Sequence, residues 1–432
     1  MNKNELKEKL YREIDRRKEE LIGLGIQLWK NPEPGYEEFK SAALVEKVLS
    51  TLNLPVRGKL ARTGVRADLK TGKPGPTVAI LGELDALIMP EHPEADPQTR
   101  AAHACGHNMQ ITAMVGAAMA LALPEVREHL SGNLAFIACP AEESRIGDHL
   151  EGVKYIGGKP ELIRTGVFDD VDMAIMTHAN SEYGAARTSN GFVMKKVLFR
   201  GQAAHAGRPW VGLNALSAAR IALDAMDAQR DTFRDEDTVR IHGIIKNGGS
   251  VVNIVPEEVE LEYQLRAQTP EAIRDASSKF DRSMQGAALA FGLDVSITTF
   301  PGYMPLYNEP ELIRLHLDNL RSFRPDVNFV DMGRRTSSTD MGDVSAIMPA
   351  MHPYSGGWKG TAHTIPFHWQ DEDEAFVEPA KVLAADAVDL LFGNADDARR
   401  IARIKPRFTK QEYLDFLDSF IADETFRYSV KK

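Results

Sequence analysis

Cysteine is nearly absent from the chain. The 432 residues hold two, Cys105 and Cys139, which excludes a disulfide framework as the source of stability. No run approaches the ~20 consecutive apolar residues that a bilayer span needs. Positive charge is not in excess: 52 Lys and Arg stand against 62 Asp and Glu, a formal net charge of −10. Such an acidic chain is a poor non-specific binder of nucleic acid or a membrane surface. The N-terminal stretch MNKNELKEKLYREIDRRKEE lacks the apolar core of a signal peptide, so the expected location is cytoplasmic. Internal repeats and low-complexity tracts are also missing. What remains is 43% hydrophobic and 26% charged, enough apolar material for a globular core. The length allows two to four domains at ~100–200 residues each.

Residues 4–30 carry the pattern of one amphipathic helix that stops before Asn31-Pro32. Short apolar runs follow at 78–81, 134–139 and 171–176, with helical stretches such as 111–123 between them. This alternation predicts an α/β domain, a mixed central β-sheet flanked by helices. The three runs lead into Glu83 and Asp85, into Glu142 and Glu143, and into His178. Sites in open α/β sheets gather at such carboxyl ends of strands. The style changes near residue 190. Strands at 193–201, 239–245, 259–267 and 293–300, with helices at 213–233 and 270–291, give the order β-α-β-β-α-β. That order predicts an inserted ferredoxin-like domain. The expected organisation is a first domain over 1–189, the insertion over 190–302, and the return of the first domain over 303–432. A helical tail, with a last helix over 410–422, is expected to close the chain.

Four clusters could carry chemistry. In His103-Ala-Cys105-Gly-His107-Asn108, Cys105 and His107 stand two apart beside glycine and can point at one metal ion. Taken alone, a loop at a helix start with Cys105 as a small hydrophobe explains the segment as well. Glu142 and Glu143 are adjacent acids at a strand end. They repel unless a cation lies between them or one accepts a proton. One could ligate a metal while the other serves as general base on a water; a solvated helix N-terminus is the plain alternative. His178 and His363, the latter in GTAHTIP, are each, taken alone, more often structural than ligating; the sum changes the weighting. Together Cys105, His107, Glu143, His178 and His363 form a mixed sulfur, nitrogen and oxygen set. That set suits zinc, manganese, cobalt or nickel, whereas calcium and magnesium prefer oxygen alone.

The segments GELDAL, HACGHN, PAEES, THAN, GQAAHAGRPWVGLNAL, VVNIVP, LRAQ, SSTDMGD and GTAHTIPF follow one another over nearly the whole chain. In this order they resemble the two-metal hydrolases of the metallo-aminoacylase and carboxypeptidase family. The likeness is closest to the amidohydrolase branch, which includes hippurate hydrolase, indole-acetyl-amino-acid hydrolases and p-aminobenzoyl-glutamate hydrolase subunits. The resemblance implies two divalent ions per chain, manganese or zinc, with cobalt or nickel as alternatives. It makes Cys105 the bridging ligand and puts His107 and Glu143 on one ion, with His178 and His363 completing the pair. It makes Glu142 the general base and Asp85 a carboxylate supporting the centre. It implies that the inserted domain acts as lid and dimerisation domain, and that His205 reaches the active site of the partner subunit. Asn253 and Arg266 then resemble groups that hold a substrate carboxylate. Read from the residues alone, a turn histidine, a strand-end cap and a surface arginine carry equal weight for these three.

The chain departs from the commoner family pattern in places. Asn108 stands where Asp is common, and Met109-Gln110 where another His often occurs. THAN lacks a frequent proline. Glu83 stands where more distant relatives carry a metal-binding His, and SSTDMGD replaces a Ser-Glu-Asp-Phe run. No assigned ligand is lost, but the substrate class stays open. The expected reaction is hydrolysis of the amide of a small N-acyl or N-aroyl amino acid, a carboxylate-bearing and aromatic substrate, by a homodimer or higher homo-oligomer. Trp210, Tyr303, Tyr354 and Trp358 are candidates for an aromatic pocket, with ordinary packing the readier reading for any one. Hydrolytic deamination of an aromatic amino acid such as an aminobenzoate remains open. So does a non-catalytic binding protein on the same fold, although retention of Glu142 beside Glu143 argues against it. A peptidase acting on short peptides ranks below these.

Overall fold

The computed structural model describes residues 1–143 and 150–429. Ser144, the last residue of PAEES, lies outside the described residues. The chain divides into two compact units. The first comprises Met1–Thr188, Leu306–Arg335 and Asp340–Lys410; the second comprises Ser189–Pro305, Thr336–Thr339 and the chain from Gln411 onward.

The first unit is built on a six-stranded sheet. Its spatial order is Val56–Leu60, Gly64–Lys70, Asn133–Cys139, Thr77–Glu83, Met173–Ile175, Ala350–Met351. The first two junctions are antiparallel and the remaining three parallel, so the sheet is mixed. Strand Thr77–Glu83 is buried along its whole length. A strand covered on both faces needs no polar alternation, which is why TVAILG reads as a continuous apolar run. The helix His107–Leu121 is buried at every position and has no polar face, as expected of a helix inside a core. It closes tightly on the central strand: a Cβ at Gly82 would lie 3.0 Å from the backbone of Gln110. Glycine there brings the first turn of the helix, with His107, over the strand end that carries Glu83.

The single helix expected over 4–30 is two helices, Lys3–Arg16 and Lys18–Trp29. Arg17 leaves helical geometry at φ −99° and ψ 11°, and its Nε donates to Glu13 Oε1 at 2.7 Å. Leu6, Leu10 and Ile14 before the break and Leu21 and Leu28 after it all join one core. A one-residue break therefore leaves the amphipathic pattern almost continuous.

The second unit holds a five-stranded antiparallel sheet. Its order is Arg240–Asn247, Glu258–Ala267, Gly191–Arg200, Asp294–Pro301, Ala422–Phe426. The first four of these strands, with helices Ala215–Ala228 and Pro270–Phe291, run β-α-β-β-α-β along the chain. Val197, Phe199, Leu261, Leu265, Val295 and Ile297 share a core with Ala218, Ala222, Ile273, Phe280 and Met284 from the helices. The long helix is well marked in sequence. Thr269 accepts from the Ala272 N–H, Pro270 opens the first turn, and Gly292 ends it at φ 62°.

The tail departs from expectation. Its helix is Lys410–Asp418, and the chain then forms strand Ala422–Phe426 beside Asp294–Pro301. Phe420 is buried in the second unit's core, and the Arg274 guanidinium lies over the rings of Phe416 and Phe420 at 5.1 and 4.9 Å. The tail thus completes the second unit rather than the first. Among the described residues no helix is long and apolar enough to cross a membrane.

Candidate metal centre

The carboxyl ends of the parallel strands deliver the candidate groups. Glu83 ends strand Thr77–Glu83 and Asp85 follows it. Glu142 and Glu143 follow Asn133–Cys139, and His178 follows Met173–Ile175. Cys105 and His107 flank Gly106, which caps the buried helix at φ 85°. A Cβ on Gly106 would lie 2.4 Å from the Ala179 methyl, so glycine lets the cysteine loop reach the His178 strand. Two non-glycine residues here adopt positive φ: Ala141 at 47° and His363 at 66°. Such conformations cost about 1–3 kcal/mol each and cluster at functional sites. Each is tied down: Ala141 N–H donates to Glu38 Oε1 at 2.7 Å, and His363 N–H donates to the Ala104 carbonyl at 2.8 Å.

Of the three groups of candidate donors among the described residues, two share the Cys105 sulfur and the third comprises Glu83, His107 and Glu142. Cys105, His107 and His178 form one set, and Cys105, Glu143 and His363 the other, with the donor atoms of each set within 4.8 Å of one another. Cys105 Sγ lies 3.5 Å from His178 Nε2 and 3.4 Å from His363 Nε2. His363 Nε2 lies 3.0 Å from Glu143 Oε1. The resemblance had put His107 with Glu143; in the structure His107 groups with His178, and Glu143 with His363. Asp85 contacts one member of each pair. Its backbone carbonyl and Oδ1 face His107 Nδ1 at 2.9 and 3.2 Å, while Oδ2 accepts the Glu143 backbone N–H at 2.7 Å.

These contacts orient the rings. His107 gives its Nδ1–H to Asp85, and His178 gives its Nδ1–H to the Ala179 carbonyl at 2.9 Å, so each presents Nε2 inward. A metal-binding histidine is held in this way by the partner of its other nitrogen. His107 Nε2 and Glu143 Oε1 are buried and face other candidate donors, Glu83 Oε2 at 3.1 Å and His363 Nε2 at 3.0 Å, the crowding of lone-pair atoms expected where a cation belongs. A thiolate, imidazoles and a carboxylate in two overlapping triplets fit a pair of divalent borderline ions.

The electrostatics point the same way. Burial and Glu143 push the Cys105 thiol up, but His178 and His107 outweigh them and hold it at about 6. Burial also opposes ionisation of Glu143, yet His363 keeps its carboxyl below the ordinary value. Hydrogen bonds to Cys105 and Glu143 raise His363 to about 11. Glu142 behaves oppositely: burial, then Glu83 and Glu143, push its carboxyl well above the ordinary value. Two adjacent acids thus have opposite proton affinities, the division expected between a ligand and a base.

Sequence reasoning missed part of this neighbourhood. Lys159, fully buried, gives its ammonium to Glu83 Oε1 at 2.5 Å and to Asp340. His352 is buried with its ring 5.3 Å from that of His178. Of the four aromatic candidates, Tyr354 lies 5.8 Å from the His178 ring. Trp358 is instead packed against Trp29, Phe367 and Phe376 in the core. Tyr303 is buried against Phe192, and Trp210 is exposed. A cavity of about 960 Å³ in the first unit, lined by Tyr307, Asn308, Ile313 and Met348 among others, contains none of the candidate ligands.

The remaining candidates belong to the second unit. His205 is exposed on a loop, and its Nδ1 accepts the Gly207 N–H at 2.9 Å. The neighbouring Ala206 N–H donates to the Asn253 carbonyl at 2.9 Å, so these two segments adjoin. Arg266 bonds Gln264 through Nε and Nη2 and Ser338 through Nη1.

The chain is similar to known hydrolases over most of its length. The model of peptidase family M20/M25/M40 matches residues 79–387. The Xaa-Arg dipeptidase of Homo sapiens is 30% identical over 410 residues, covering 88% of this chain and 87% of that one. The N-acetyl-L-cysteine deacetylase of Bacillus subtilis is 26% identical over 394 residues, covering 87% and 89%. The crystal structure of a dinuclear metal binding peptidase of the M20 family from Bacillus subtilis superposes with a TM-score of 0.67 at 20% identity, covering 87% of this chain and 99% of that one. At that identity the likeness speaks for the fold.

Proposed function

Because the chain belongs to peptidase family M20/M25/M40, whose relatives here are hydrolases of amide bonds, we propose that it hydrolyses the amide of a small N-acyl or N-aroyl amino acid, dipeptides included, at a two-metal centre. One observation carries this reading: the Cys105 sulfur belongs to two of the donor triplets, Cys105–His107–His178 and Cys105–Glu143–His363, beside Glu142, which is in neither of these two. Cys105, His107 and His178 would hold one divalent ion, and Cys105, Glu143 and His363 the other. When bound, such a pair polarises the scissile carbonyl and acidifies a water.

Glu142 is the base. It takes a proton from the attacking water as the new carbon–oxygen bond forms, then gives that proton to the leaving nitrogen as the carbon–nitrogen bond breaks. Its raised proton affinity suits both halves of that transfer. Asp85 holds His107 and the Glu143 backbone in register. His205 is proposed to donate to the oxyanion in the partner subunit's site. Asn253 and Arg266 are proposed to bind the substrate carboxylate, the guanidinium offering a fork to it.

The proposed homodimer forms through the second unit. Strand Arg240–Asn247 is one edge of its sheet and exposes Ile244 and Ile245; Val251, Val252 and Ile254 are exposed nearby in sequence. Exposed apolar edges of this kind seek a partner. The opposite edge is closed by the polar strand Ala422–Phe426. The cytoplasm is the proposed location.

The test is a panel of N-acyl amino acids, N-aroyl amino acids, dipeptides and aminobenzoates on manganese- and zinc-loaded protein, with products identified by mass spectrometry. Release of a free amino acid from an amide supports the reading. Release of ammonia from the aromatic amines alone would make the protein a deaminase, and inertness towards the whole panel would favour a binding role.

A further inference from the structure

Two of the segments that depart from the commoner family pattern, GELDAL and SSTDMGD, meet on one side chain. Lys159 is fully buried. Its ammonium bonds Glu83 Oε1 at 2.5 Å and Asp340 Oδ1, and its backbone N–H donates to Asp340 Oδ2 at 3.0 Å. Asp340 therefore grips the lysine at both ends. The second oxygen of Glu83 faces the centre. Oε2 accepts from Gln110 Nε2 at 2.8 Å and lies 3.1 Å from His107 Nε2. The same histidine nitrogen lies 3.9 Å from Glu142 Oε2.

Glu83, His107 and Glu142 thus form a third triplet of donor atoms within 4.8 Å of one another. Two fully buried carboxyl groups, Glu83 and Asp340, and the part-buried Glu142 crowd this neighbourhood, and carboxylates so close repel unless positive charge lies among them. A divalent ion in the third triplet would supply it. It would lie against His107, while the ion of the Cys105 group keeps Cys105 and His178, and it would take Glu142 from its role as base.

Resting on the two-metal reading above, we propose that the Lys159 ammonium is a built-in cation that closes this third site to metal. It supplies the charge Glu83 and Asp340 require, and holds Glu83 against Gln110 and Lys159 rather than on an ion. Lys159 does not touch the reacting atoms in this account; it is a positioning residue that keeps the centre at two ions and Glu142 on the water.

The test is equilibrium dialysis of the full-length protein against millimolar manganese, with bound metal counted by inductively coupled plasma mass spectrometry. Lys159→Met should bind one more ion per chain than the wild type. Lys159→Met combined with Asp340→Asn, which removes the charge pair while leaving Glu83 in place, should do the same and decides the matter if the single variant does not fold. Lys159→Met combined with Glu83→Gln should return to the wild-type count. In the variants with the extra ion kcat should fall by ~10² or more, the scale of a lost base, with little change in KM. The inference is overturned if the folded double variant Lys159→Met, Asp340→Asn binds no more metal than the wild type. It is also overturned if the wild type, with Lys159 intact, takes up a third ion. A wild-type count below two would instead strike at the two-metal reading itself.

Discussion

Cys105 and His363 stand 258 residues apart in the chain, yet Sγ and Nε2 lie 3.4 Å from each other. The cysteine comes from the start of the buried helix, and the histidine from a loop held at φ 66°. The chain spends backbone strain at His363 to bring that ring to a sulfur already close to His178. A thiolate between two imidazoles is the chemistry of a bridging ligand, and several expectations follow from that placement.

The adjacent acids should separate cleanly. Glu142→Gln should keep its metal and lose turnover by roughly 10²–10⁴-fold, the usual contribution of a general base. Glu143→Gln should lose metal, because its carboxylate faces His363 and Cys105. Metal analysis beside kcat decides it; the reverse pattern would exchange the two roles.

Asp85 touches both halves of the centre, so its removal should be felt by both. Asp85→Asn should weaken metal affinity or activity by roughly 10–100-fold, as loss of a group orienting a ligand does. Metal titration monitored by calorimetry should show both binding events weakened. An unchanged titration would confine Asp85 to a packing role.

His205 and Glu142 should complement each other across a dimer. Chains carrying His205→Ala, mixed with chains carrying Glu142→Ala, form mixed dimers with one site that has both residues. Activity should then return in part, to about a quarter of wild type at most on random exchange of equal amounts. Exchange demonstrated by mass spectrometry, with no activity, would place His205 outside the partner's site.

Stability should respond to Tyr11 at high pH. Burial pushes its phenol up to about 12, and its hydroxyl meets Ser322 Oγ at 3.1 Å. The unfolded chain ionises Tyr near its ordinary value of 10.0. Above that pH the native state binds more protons than the unfolded state, so stability falls as pH rises from about 10 towards about 12. Tyr11→Phe should remove this part of the loss. Between pH about 9 and about 11 its unfolding free energy in urea should drop less than that of the wild type, by about 1 kcal/mol.

Much of the centre was legible because its residues end apolar strands. TVAILGELDAL and NLAFIACPAEE announce a buried strand and then place acids at its carboxyl end. HACGHN combines a turn glycine with two metal-capable side chains, and the order of the motifs marks the family. Lys159 was not legible. It lies in IGGKPELIR, with nothing local to distinguish it, and its partners are 76 and 181 residues away. Only the folded sheet shows that Glu83 and Asp340 converge on it. The pairing of His107 with His178 was equally hidden, because order along the chain does not say which nitrogen faces which sulfur. The last strand was hidden for another reason. ADETF is short and polar, and cross-strand contacts hold it: Ser296 Oγ to Thr425 Oγ1 at 2.8 Å, and Thr298 Oγ1 donating to Asp423 Oδ1 at 3.0 Å. An edge strand of that composition carries no alternating apolar signal.

Both proposed ions depend on the shared Cys105 sulfur, so the metal content of Cys105→Ala against the wild type is the decisive measurement. Both proteins are stripped with chelator, reloaded with manganese or zinc, passed through a desalting column and counted by mass spectrometry. A bridging sulfur requires two ions per chain in the wild type and loss of both in Cys105→Ala, with activity lost alongside. A Cys105→Ala protein that keeps two ions and the full rate would contradict it.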